Sequence, residues 1–133
     1  MANEFARKTN DFAHTKTRAL PTADGTVTST DFDLGAGVYK EENYELEITI
    51  PALTAIQLPN ADTLTITVQH GAAASPTTML HVFPVITGST GYAGGTFRYR
   101  FPSNTLRYAN VKIVAAGGTG DISASSATVK LVF

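Results

Sequence analysis

Between residue 26 and the C-terminus, apolar side chains recur at every second position in one short run after another. That period restricts the chain to sheets. TLTITVQH (63–70) is the clearest case. Leu64, Ile66 and Val68 fall on one side of an extended chain, and Thr63, Thr65, Thr67 and Gln69 on the other. NYELEITI (43–50) sets Tyr44, Leu46, Ile48 and Ile50 against Glu45, Glu47 and Thr49. TSTDFDLG (28–35) puts Phe32 and Leu34 opposite Asp31 and Asp33, and GTFRYRF (95–101) puts Phe97, Tyr99 and Phe101 opposite Thr96, Arg98 and Arg100. MLHVFPVI (79–86) is apolar on both sides, as a strand covered on both faces should be, with Pro84 marking an edge or a bulge.

LRYANVKIVAA (106–116) and ATVKLVF (127–133) complete seven strands, with an eighth expected near Val38 or Ile56. Val129, Leu131 and Phe133 mark the last strand as part of the core. The links GAAASPTT, GSTGYAGG, PSN and AAGGTGDISASS are rich in Gly, Ser and Pro, and the two glycine-rich ones read as hairpin loops needing positive φ. Helical periodicity is missing after residue 25. Many short strands separated by turn signals specify an all-β, antiparallel β-sandwich or barrel. At 133 residues the chain fits one domain with a core of its own.

Residues 1–24 differ in character. They hold four of the ten basic residues, Arg7, Lys8, Lys16 and Arg18. Phe5 and Phe12 stand seven apart, the spacing of one side of a short helix. Pro21 and the turn ADG (23–25) close the segment. The reading is an extended or short-helical N-terminal arm over 1–24 ahead of a β-sandwich domain over 25–133; a frayed polar tail is the alternative. The first twenty residues lack the apolar stretch of a secretory signal, and no run approaches a bilayer span, so a soluble protein with no membrane partner is expected.

The chemistry-bearing residues form no catalytic constellation. Cysteine is absent, which excludes a disulfide framework and thiolate metal ligation. His14, His70 and His81 have no second ligand at metal spacing; His70 and His81 meet only if their strands pair. Asp31 and Asp33 share a strand side but lack the further oxygens of a calcium loop, and read as an exposed acidic face. No G-x-S-x-G elbow is present, and the glycine-rich links lack a phosphate-binding lysine and a following helix. Glu45 and Glu47 share a strand face rather than opposing walls of a cleft, so paired-carboxylate hydrolysis is not expected. The expectation is no enzyme, no cofactor, no metal and no small-molecule substrate.

A formal net charge of −1, with 16% charged residues, provides no field for nucleic acid. Arg98 and Arg100 instead form a small exposed patch whose counterparts are Glu45 and Glu47, in the same chain or another copy.

Three stretches carry a family resemblance: DFDLG (31–35), LTITVQHGAAASPTTMLHVFPV (64–85) and FRYRFPSNTLRYANVKIVAAGGTGDISASSATVKLVF (97–133). A Thr-alternating strand, a small-residue SPTT loop and the LRYANVKIVAAGG ending resemble the jelly-roll cement (decoration) proteins of tailed bacteriophages, particularly the Bordetella-phage cement protein family. The resemblance spans roughly residues 28–133. It implies a β-jelly roll, made in the bacterial host cytoplasm, that binds the outer surface of the virion's icosahedral head as a homotrimer and bridges subunits of the major capsid protein.

On that reading the arm reaches a neighbouring subunit through Phe5 and Phe12, with Arg7, Lys8 and Arg18 meeting acidic capsid surface. Trimer or neighbour contacts fall on Thr63, Thr65, Thr67, Arg98 and Arg100, although threonine is also ordinary on a solvent-facing sheet. The rival is a carbohydrate- or receptor-binding β-sandwich of a phage tail or fibre, for which Tyr39, Tyr92 and Tyr108 are the candidate aromatic platforms.

Overall fold

A computed structural model describes residues 10–34, 45–102 and 104–132, with the side chains of residues 10–14 left out of the description. Ten strands and no helix are found among them: β1 (Asn10–Ala19), β2 (Gly25–Thr28), β3 (Phe32–Asp33), β4 (Glu45–Ile50), β5 (Thr63–Gly71), β6 (Thr78–Val82), β7 (Ile86–Thr87), β8 (Gly95–Arg100), β9 (Tyr108–Ala116) and β10 (Ser126–Val132). They form a four-stranded sheet, β1-β10-β4-β8, and a six-stranded sheet, β2-β9-β5-β6, to which β3 adds on β9 and β7 on β5. All pairings are antiparallel. With the two-residue β3 and β7 set aside, the remaining strands pair as first-eighth-third-sixth and second-seventh-fourth-fifth, the strand order of a jelly roll. The expected all-β antiparallel sandwich is what the chain forms.

The alternating residues fill one layer between the sheets. Leu46, Ile48 and Ile50 of β4 and Val129 and Leu131 of β10 face Leu64, Ile66 and Val68 of β5 and Val111 and Ile113 of β9, all but fully buried. Each such side chain contributes on the order of 1.5–3 kcal/mol on leaving water. The opposite residues of each strand are turned outward, so the chain's polar alternation becomes the two outer faces.

The flanks of the sandwich are closed differently. At the β6–β8 flank the His81 ring stacks on Tyr99 (4.5 Å between centroids) and meets Phe83 edge-on (4.7 Å). Phe83 also touches Phe97, at 5.4 Å. This aromatic cluster joins an edge strand of one sheet to an edge strand of the other. At the β1–β2 flank, Lys16 lies with its ammonium 5.5 Å from the centre of the Phe32 ring.

Four expectations need correction or qualification. Residues 10–19 are not set outside the sheets: β1 pairs with β10 from Asn10↔Val132 to Ala19↔Ser126, with an irregularity between Asn10 and Thr15. This stretch is extended, not helical. Its apolar alternation is missing because Lys16 and Arg18, by register, take the side of Val129 and Ala127. Long cationic stems can lie along a core margin, and inward-pointing charge on an edge strand discourages further pairing.

MLHVFPVI is an edge rather than a strand covered on both faces. Met79 is 62% exposed and Val82 41%. The ladder shifts by a residue opposite Val68 and Gln69, and pairing stops at Val82 before Pro84. Ile56 lies in a turn and is exposed, so it starts no eighth strand. Val38, Tyr44 and Phe133 fall outside the described residues.

The glycine-rich links do adopt positive φ, at Gly91, Gly94, Gly117 and Gly118. Gly91 is the most constrained. It has φ +91°, and an added Cβ would sit 2.3 Å from the Leu53 carbonyl oxygen, beside the backbone pair that joins Leu53 and Tyr92. Gly91→Ala is expected to cost about 1–3 kcal/mol through strain and overpacking. Thermal unfolding should show a drop of several degrees, whereas Gly25→Ala, whose Cβ meets only ordinary contacts, should leave the midpoint nearly unchanged.

Candidate functional site

The outer face of the six-stranded sheet is polar and partly roofed. β5 and β9 lie side by side at its centre, and register puts Gln69 beside Asn110 and Thr67 beside Lys112. Thr28 of β2 flanks Lys112 on the other side. The segment after β2 (29–31) and the loop after β5 (72–77) rise as walls. Between them runs an open groove of about 640 Å³, lined by Thr28, Asp31, Gln69, Pro76, Asn110 and Lys112 among others.

The walls are tied together across the sheet. The Ser75 N–H donates to Asp31 Oδ2 at 2.7 Å, and Asn110 Nδ2 donates to Asp31 Oδ1 (3.2 Å) and to the Pro76 carbonyl (3.3 Å). Gln69 Nε2 donates to the Thr77 carbonyl at 3.2 Å. Ser29 Oγ accepts the Val111 N–H (3.0 Å), which anchors the first wall to β9.

Asn110 is only 2% exposed, and its Oδ1 has no hydrogen-bond donor. Turning the amide round would set its oxygen against two acceptors, so the orientation is fixed by its partners. An unmet buried acceptor costs about 1–3 kcal/mol. Among the described residues, Lys112 makes no ion pair. The groove therefore offers an available cation among amide and hydroxyl side chains, with no aromatic ring in its lining.

The residues expected to make trimer or neighbour contacts do not come together. Thr63, Thr65 and Thr67 lie on the outer face of the six-stranded sheet, and Arg98 and Arg100 on the outer face of the four-stranded one, the opposite side of the sandwich. Thr67 and Gln69 are 8% and 7% exposed, so much of the hydroxyl face of β5 is already covered by its own chain. Arg98 donates to Glu47 Oε2 from Nε (3.0 Å) and Nη2 (2.9 Å), a cross-strand pair inside one chain. Arg100 stands opposite Glu45.

Of the arm residues, Phe5, Arg7 and Lys8 lie outside the described residues, as does the Phe12 side chain. Arg18 is exposed on β1, at the rim of a recess of about 360 Å³ shared with Asp24. Asp24 accepts from the Gly118 N–H first, then from Thr119, which holds its carboxyl below its ordinary range and fastens the β9–β10 link.

Asp31 and Asp33 are not a bare acidic face. Asp31 bridges the groove walls, and Asp33 takes both prongs of Arg107, at 2.8 and 2.9 Å. That pairing raises the Arg107 pKa, the hydrogen bond to Asp33 being the larger cause. Arg107 also covers the Tyr108 ring at 5.0 Å, and Tyr92 packs against the core, so neither tyrosine stands as an open platform; Tyr39 is outside the described residues. No three of His, Cys, Asp and Glu gather at metal distance among the described residues. Sequence reasoning missed Asn110, Gln69 and Lys112. The signal was present as polar residues at outward positions of two central strands, but only the pairing of β5 with β9 sets them side by side.

His70 and His81 do lie on paired strands, β5 and β6, and each has a structural partner. His70 Nδ1 accepts the Leu106 N–H at 3.1 Å, and burial pushes the imidazole pKa below its ordinary 6.5. Protonation would place a hydrogen on Nδ1 and abolish this bond. A pKa depressed on folding contributes stability that is complete above 6.5 and is lost as pH falls through the lower folded value. The unfolding midpoint should therefore decline below pH 6.5 more steeply in the natural chain than in His70→Asn. Equal slopes in a thermal scan series from pH 8 to pH 4.5 would remove His70 from that dependence.

Comparison with known proteins assigns no family. No family model and no curated protein matches the chain. Among solved structures, one titled "xylan-binding module CBM15" is similar over 94% of this chain and 95% of its own, with a TM-score of 0.43 and 16% identity. Another, titled "CBM4 structure and function", covers 82% of this chain and 70% of its own, with a TM-score of 0.40 and 14% identity. The sandwich assignment rests on the strand order itself.

Proposed function

We propose that the chain is a structural virion protein, a capsid cement or decoration protein that binds the outside of an icosahedral head as a homotrimer and bridges major capsid protein subunits. The observation that carries this is the jelly-roll strand order, an architecture recurrent in viral shells, in a chain whose sequence resembles phage cement proteins over that same region. The broad outer faces and the tied loops suit a clamp. A preformed surface loses little freedom on docking. Binding the assembled lattice better than free subunits stabilises it by mass action, and three linked copies multiply a modest single-site affinity.

The described geometry narrows the contacts. Patches on opposite faces of a sandwich join copies into an open stack rather than a closed ring, so the two outer faces together do not make the trimer interface. The exposed apolar edge at β6, with Met79, Val82 and the nearby Val85 (51% exposed), is the better self-contact. Val82→Glu should convert trimer to monomer in light scattering while leaving the unfolding midpoint within a few degrees; an intact trimer refutes this edge.

The arm requires a deletion that spares β1. Removing residues 2–9 keeps the strand that pairs with β10. Co-sedimentation with undecorated heads should then fall at least tenfold in affinity, the equivalent of about 1.4 kcal/mol. Failure of the full chain to bind any such head would end the cement proposal.

A binding module is the second reading, favoured by the preformed polar groove and its Lys112.

A further inference from the structure

We infer that the groove on the outer face of the six-stranded sheet is a saccharide site that works through polar contacts without an aromatic platform. The floor sets amide beside amide, Gln69 with Asn110, and the adjoining row sets Thr28 beside Lys112. A sugar hydroxyl both donates and accepts, so a polyol can use such a mixed set of groups. Asn110 is buried and holds the floor to both walls through its Nδ2 bonds to Asp31 and Pro76, so the groups a ligand meets are those of Thr28, Gln69 and Lys112. The Lys112 ammonium, unpaired among the described residues, can donate to ring or hydroxyl oxygens or meet a uronic carboxylate.

The remaining features agree with a small ligand. The volume, about 640 Å³, lies within the range of small-molecule sites. The bond from Ser75 N–H to Asp31 joins the two walls, so the groove is preformed. Lys112 shares it with the Asp31 carboxylate, which disfavours a polyphosphate or a nucleic acid strand. Apolar contact is limited to Pro76 and threonine methyl groups, so affinity comes from hydrogen bonds and is modest. This inference does not rest on the capsid proposal, since head binding and saccharide binding are read out by different experiments.

The test uses the full-length chain on an array of neutral and uronic-acid oligosaccharides, followed by calorimetric titration and amide NMR with each positive sugar. At least one should bind with Kd at or below about 1 mM and shift the amides of Gln69, Asn110 and Lys112. Lys112→Ala combined with Thr28→Val should weaken it at least tenfold, as loss of a charged and a neutral hydrogen bond does. Thr49→Val, on the opposite sheet, should leave affinity unchanged. Because Asn110 is buried, the partly exposed Lys112 and Thr28 carry the decision. No sugar bound at about 10 mM, shifts confined to other surfaces, or full affinity in the Lys112→Ala and Thr28→Val variant would each overturn the inference.

Discussion

The apolar layer between the two sheets is the constraint on which everything else depends. Leu46, Ile48, Ile50, Val129 and Leu131 on one inner face and Leu64, Ile66, Val68, Val111 and Ile113 on the other leave no room for a polar residue to turn inward. Strand period two then forces every alternate residue outward. A one-residue slip of β4, β9 or β10 would bury Glu47, Lys112 or Lys130 in that layer, and a slip of β5 would bury Thr65 and Thr67, so register is strongly specified. The groove and the exposed arginines are both consequences of this single requirement.

Two sheets packed face to face still have open flanks and edges, and the molecule treats each in its own way. The β6–β8 flank is closed by rings, His81, Phe83, Phe97 and Tyr99. The β1 edge carries Lys16 and Arg18 along the core margin. The β6 edge keeps Met79 and Val82 in solvent beside a ladder irregularity, which limits its use as a template while leaving apolar area for a partner. Loop anchoring falls to carboxylates: Asp24 holds the β9–β10 link, Asp31 joins the groove walls and Asp33 holds Arg107.

Most of the sheet content was legible because alternation is local: TLTITVQH, the ELEITI of β4 and ATVKLVF needed no tertiary information. β1 was not legible, since an edge strand at a flank tolerates Lys16 and Arg18 where a central strand needs leucine. β6 was misjudged for the converse reason. Apolar residues on both sides of MLHVFPVI suggest two covered faces, but a residue can be apolar and still face solvent. The candidate site was legible only as the outward threonines and Gln69 of β5, because Asn110 is 41 positions from Gln69 in sequence and joins it only through the pairing of β5 with β9.

By itself, then, the sequence determined the central strands, the inner and outer side of each, and the absence of a thiol or recognisable catalytic motif, all of which follow from residue type and a period of two. Only the tertiary structure decided which strands are neighbours. That choice places Gln69 beside Asn110, sends Thr65 and Arg98 to opposite faces, and brings Asp31 against the Ser75 backbone. It depends on how two long-range ladders share one core, a property of the closed sandwich that no short stretch contains.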